Sequence, residues 1–154
     1  MEEVRNSDLM ITKGRSYTYI LKGEPEALVL RRSEDIAGWN THKERKLIAD
    51  ISLESQHNDR PLFTGNIAFD VLFYFPIPHP IRAKIKAKQG DMHSAKPCIY
   101  LLLNFLIHSC EGILFADTYN VVHTSGFKRY DKEPRTELII TELHEKKDNS
   151  SKKS

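Results

Sequence analysis

Four residues able to bind a soft metal crowd the middle of this chain: His93, Cys98, His108 and Cys110. Thiolate and imidazole are the ligands of tetrahedral zinc sites, whose usual signature includes a C-x₂-C pair. No such pair is present. If residues 98–110 form a helix, His108 and Cys110 diverge by about 200° around its axis and cannot face one ion. The two cysteines would then lie about 18 Å apart, beyond the reach of a disulfide. A second chemistry is electrostatic. Arg82, Lys84, Lys86 and Lys88 alternate through IRAKIKAKQG, and in an extended backbone all four cations project to one side, where they could meet successive phosphates. A solvated lysine-rich loop is the competing reading. Aromatic residues are not interleaved there, which argues against a platform for stacking single-stranded bases.

The elements that must position these groups can be read from pattern. With 154 residues, the chain is long enough for one domain with its own core. Charged residues make up 29%, hydrophobic ones 40%, and the net charge is only +2; a nucleic-acid partner would have to be held by local patches. The start, MEEVRNSDLM, is acidic and polar rather than a secretory leader, which predicts a reducing, cytoplasmic setting. No apolar run approaches the roughly 20 residues of a membrane span.

Residues 1–15 lack periodicity and read as a flexible N-terminus, and 144–154 (HEKKDNSSKKS) as a disordered Lys/Ser-rich tail around a domain over 16–143. Residues 17–21 (YTYIL) and 27–32 (ALVLRR) flank the turn-like KGEPE and predict two short strands. NTHKERKLIADISLESQH predicts a helix capped by Asn40 or Thr41, with Leu47, Ile48 and Ile51 inward. NIAFDVLFYF alternates as a strand does and stops at PIPHP. A basic loop leads to a helix over about 98–110, closed near Gly112. ILF, YNVVHT and RTELIITEL predict three further strands. The expected architecture is α/β, a mixed sheet of about five strands with two main helices. The second helix is apolar around nearly its whole circumference. Ile99, Leu102, Leu103, Leu106, Ile107 and Cys110 form the expected core stripe, and Tyr100, Leu101, Asn104 and His108 a second one.

This order of elements resembles the RusA-type Holliday-junction resolvases, from about Tyr17 to Leu143. The family pattern K-P-D-x-D-N-L-x-K, D-A-L-x-G, D-D-x-Q-I and a later Lys is similar to Lys96-Pro97-Cys98-Ile99-Tyr100-Leu101-Leu102-Leu103-Asn104, His108-Ser109-Cys110-Glu111-Gly112, Asp117-Thr118-Tyr119-Asn120-Val121 and Lys128. KGEPE and EPRTELIITEL look like the family's framing strands. The frame matches without a gap between Lys96 and Val121, yet the chemical positions differ. Those of the metal-holding aspartates carry Cys98 and Tyr100, that of the helix lysine carries Asn104, and that of the second aspartate of the later pair carries Thr118. Asp117 is the residual acid.

The resemblance implies a RusA-like fold, a homodimer, and a cleft whose Mg²⁺ would need clustered carboxylates. A neutral thiol, phenol and hydroxyl supply none. The resulting expectation is a catalytically inactive member that binds branched DNA, such as four-way junctions, without metal and without cutting. Arg31, Arg32, Arg82, Lys84, Lys86, Lys88, Lys96, Lys128 and Arg129 are the candidate phosphate contacts. In this reading the second stripe of the helix is dry because it fills the former active site. Two alternatives stay open: an active Mg²⁺-dependent resolvase with relocated acids such as Asp91 or Glu111, and a protein-interaction module that has lost DNA.

Overall fold

A computed structural model describes residues 9–28, 36–79 and 86–147. Six principal elements follow in order: β1 (Leu9–Lys22), α1 (Ile36–His57), β2 (Ile67–Pro76), α2 (Ile99–Cys110), β3 (Val121–Asp131) and β4 (Arg135–Lys147), with one 3₁₀ turn over Thr118–Asn120. They form a mixed four-stranded sheet in the order β1-β4-β2-β3. β4 runs antiparallel to both β1 and β2, and β2 runs parallel to β3. The protein is thus α/β, with two helices and four strands among the described residues rather than about five.

The difference in strand count has a local cause. ILF (113–115) is a buried turn: the amides of Ile113 and Leu114 both donate to the Cys110 carbonyl, and Gly112 has φ 82°. Leu114 and Phe115 are fully buried there, so the three apolar residues fill the core without forming a ladder. The strand expected over 27–32 lies mostly outside the described residues, and Ala27 and Leu28 are not in a strand.

β1 begins inside the stretch expected to be loose, and β4 runs past the expected boundary at Leu143, with Leu9 opposite Lys147 and Thr12 opposite His144. This two-stranded ribbon has no apolar alternation to betray it. Polar pairs hold it instead: Arg15 donates to Glu142 through its amide at 2.7 Å and its Nε at 3.2 Å. The register shifts between Lys13 and Ser16, where a Cβ on Gly14 would come within 2.6 Å of His144.

One face of the sheet is buried. β2 contributes Ile67, Phe69, Val71, Phe73 and Phe75, β4 contributes Leu138 and Ile140, and these pack with Leu53, Phe63, Leu102, Leu106, Leu114 and Phe115. Burying a side chain of this size contributes about 1.5–3 kcal/mol. The alternate residues Asp70, Leu72 and Tyr74 are half-buried on the other face, the period-2 pattern of a strand with one wet side.

α1 faces the core with a different stripe from the one its sequence suggests. Ala49, Leu53 and His57 are buried at four-residue spacing, whereas Leu47, Ile48 and Ile51 are 59%, 67% and 60% exposed. Polar partners decide the phase. His57 meets Tyr19, and Gln56 pairs with the outer edge of β1, accepting from the Ile20 amide and donating to its carbonyl, both at 2.7 Å. A side-chain amide thereby closes part of an edge that would otherwise be open to strand pairing. Replacing Gln56 by Leu is expected to cost about 1–2 kcal/mol, from three lost hydrogen bonds, two to Ile20 and one to Ser52, partly regained from water. Urea denaturation measures it; an unchanged midpoint would contradict the edge-closing role.

Candidate functional site

α2 is not dry all round. Leu102, Phe105, Leu106, Ser109 and Cys110 are buried, with Ile99, Leu103 and Ile107 packed against the core in part. Ser109 is admitted because its hydroxyl donates back to the Phe105 carbonyl at 2.8 Å. Of the second stripe, Leu101 is half-buried, but Asn104 and His108 are exposed and Tyr100 is 62% exposed. The expectation that this stripe fills a former cleft is therefore corrected. It is a solvent-facing surface, because β3 and the core lie on the other sides of the helix.

The segments that the resemblance aligns with one catalytic centre are also held apart. Cys98 is the N-cap of α2, while the Thr118 amide donates to Glu111 Oε2 at 2.9 Å, just past the helix's other end. About 18 Å of helix lies between. Asp117 lies just before β3. It caps the 3₁₀ turn, accepting from the Tyr119 amide at 2.9 Å while its own amide donates to Asn120. The acids considered as relocated ligands are likewise engaged with backbone: Glu111 with Thr118, and Asp91 with the Lys88 amide at 2.8 Å. Among the described residues no three of His, Cys, Asp or Glu gather as metal ligands. Mg²⁺ prefers carboxylate oxygens in an octahedron, and the residues present do not fit it.

What does converge is the approach to α2. The chain from Gly90 to His93 lies along the edge of β3: Gly90 donates to the Tyr130 carbonyl, Tyr130 to Asp91, and His93 to Lys128, at 2.8, 2.9 and 3.0 Å. The Lys96–Pro97 bond is cis. Beneath it, Lys128 Nζ donates to the carbonyls of Ala95 and Pro97 at 2.6 and 2.7 Å. Burial pushes the Lys128 ammonium below its ordinary pKa, with Cys98 opposing. A cavity of about 580 Å³ opens here, lined by His93, Ser94, Lys96, Cys98 and Lys128 among others, with no carboxylate among the described residues of the lining. A larger cavity, about 680 Å³, lies between β1, α1 and α2 and is rimmed by Glu24, Glu26 and Arg45; none of the described candidate site residues lines it.

Of the expected phosphate contacts, Lys86, Lys88 and Lys96 are exposed. Arg129 lies over the Phe127 ring at 4.3 Å and donates to the Gly90 carbonyl at 2.7 Å. Lys128 is turned inward, with two of its ammonium hydrogens committed to the Ala95 and Pro97 carbonyls. Arg31, Arg32, Arg82 and Lys84 lie outside the described residues. Cys98 is exposed, and hydrogen bonding to it holds the Tyr100 phenol above its usual range.

The residue that sequence reasoning missed is His93, considered only as a metal ligand. It is 8% exposed, stacked on Phe75 with ring centroids 3.9 Å apart and tilted against Tyr130 at 4.9 Å. Its Nδ1 is buried without a hydrogen-bond partner. Burial first, and the Lys128 charge second, push its pKa down. No spacing rule could have signalled this, since the groove for His93 is made by β2 and β3.

No protein-family model matches the chain. A stretch of 94 residues is 29% identical to YqaN of Bacillus subtilis (strain 168), described as an uncharacterized protein; the match covers 58% of this chain and 66% of that one. Among the described residues no helix is long and apolar enough to cross a membrane.

Proposed function

We propose that this protein is a homodimeric, cytoplasmic scaffold of the RusA type that binds the phosphate backbone of branched DNA, such as four-way junctions, and leaves it uncut. The observation that carries the reading is the cavity at the start of α2, whose lining holds Lys96, Lys128 and His93 and, among the described residues, no acid. A phosphate approaching this point meets cations and helix N–H groups, with no acid among the described lining residues to repel it. Exposed Lys86, Lys88 and Lys96 extend the positive rim along the same loop. Contacts of this kind fix position and depend on salt, and they do not read bases.

The test is retention of a labelled four-way junction against linear duplex, with and without Mg²⁺ or Mn²⁺. Junction-selective retention without nicking is expected. Changing Lys86, Lys88 and Lys96 together to Glu should weaken it at least tenfold, and neutralising the three sites removes roughly three units of salt slope. Equal or absent binding to both DNAs, or metal-dependent nicking, overturns the reading.

A further inference from the structure

Three features of the α2 cavity point to one class of occupant. α2 is twelve residues long, and Cys98 at its cap position makes no side-chain hydrogen bond to it; its first turn carries no acidic residue. The first amides of a helix have no intrahelical acceptor and carry the positive end of its dipole. Lys96 is exposed at the mouth, and the Lys128 ammonium, with three hydrogens, has two committed to Ala95 and Pro97. His93 lines the same cavity, more than nine-tenths buried, with an unpartnered ring nitrogen.

We propose that this cavity seats a single phosphate oxyanion at the N-terminus of α2, and that the His93 imidazole takes up one proton as the anion enters. The seat rests on the DNA reading only for the source of the phosphate. A backbone phosphodiester and a free phosphate present the same oxyanion.

The groups facing His93 explain why the proton waits for the anion. Phe75 comes from β2, Tyr130 and Lys128 from β3, and Lys96 and Cys98 from the approach to α2. None of these is a carboxylate. Asp91, nearby in sequence, spends an oxygen on the Lys88 amide. In the empty site burial and Lys128 both favour the neutral ring. An entering anion reverses the local field and favours the imidazolium. The bound state then holds more protons than the free one, so binding tightens as pH falls through the window between the two His93 titrations.

Sulfate is the probe, because it remains a dianion across the window while inorganic phosphate titrates itself. The His93 ring protons, assigned by their loss in His93→Gln, are followed by NMR against pH in sulfate and in chloride at matched ionic strength. Sulfate is expected to raise the His93 midpoint by about one pH unit, which corresponds to about tenfold tighter binding on the acidic side of the window. His93→Gln should bind sulfate with no such pH dependence. An unchanged midpoint at saturating sulfate overturns the seat, as does pH-independent affinity in the unaltered protein. A four-way junction added in place of sulfate separates the two readings. If sulfate shifts His93 and the junction does not bind, the seat stands and the DNA reading falls. If the junction binds and His93 is unmoved by either probe, the DNA reading stands and the seat falls.

Discussion

Replacing Lys128 by methionine is expected to lower stability by about 3 kcal/mol. The ammonium supplies two charge-assisted hydrogen bonds, to Ala95 and Pro97, each contributing roughly 1.5–3 kcal/mol. Some of that loss is offset because a half-buried lysine bears a desolvation cost, seen in its lowered pKa, that methionine does not. The remaining cost falls on two carbonyls left facing an apolar chain. Lys96→Met provides the contrast. Lys96 is exposed, so its loss should leave stability within about 0.5 kcal/mol while weakening junction retention. Paired urea-denaturation curves and salt-dependent gel shifts measure both effects. If Lys128→Met folds as stably as the unaltered protein, the lysine is not holding the loop.

Lys128 also shows where the sequence was legible and where it was not. The resemblance aligns it only with the family's later Lys; its contacts with the carbonyls of Ala95 and Pro97 are seen in the structure. Its direction depends on the carbonyls of a loop some thirty residues earlier in the chain, which no spacing encodes. The same division runs through the fold. NIAFDVLFYF announced β2 because every second residue is large and apolar, and those residues are buried. The ribbon of 9–15 with 141–147 went unread because its pairs are polar and its partners lie over 120 residues apart. In α1, Leu47, Ile48 and Ile51 present the stronger apolar signal. Ala49 and His57 win the core through a close approach and a hydrogen bond to Tyr19, and local propensity yields to tertiary context. The candidate site was readable as composition, in its basic loop, its missing acids and its Lys-Pro junction. His93 was not, because its role arises from Phe75 and Tyr130 on two different strands.

Acid should destabilise the fold below about pH 6.5, and His57 is expected to be the main cause. Its ring is buried at 4% exposure, lies 2.7 Å by Nδ1 from the Tyr19 hydroxyl, and reaches the Pro61 carbonyl through Nε2 at 3.2 Å. The consistent tautomer is neutral: Nε2–H donates to Pro61 and Nδ1 accepts from Tyr19. Burial first, then Arg60 and Arg15, push the His57 pKa down, so the unfolded chain takes the proton sooner. Stability is present above the unfolded value near 6.5 and is lost as pH falls toward the folded value, levelling off below it. His93 adds in the same direction. At the alkaline end the Tyr19 phenol, pushed by burial from 10.0 up to about 12, reverses the sign: its contribution is present below pH 10 and fades toward 12. His57→Phe keeps the ring volume but removes the acceptor of the Tyr19 hydroxyl and one of the two side-chain donors to the Pro61 carbonyl, the other being Arg15, at a cost of about 2 kcal/mol near neutral pH. That gap should narrow as pH falls below the unfolded value near 6.5, since only the unaltered protein must resist protonation at this site. Urea curves across the range measure it. A gap that stays constant would mean that His57 does not titrate between the folded and unfolded states, and that the acid sensitivity belongs to another group.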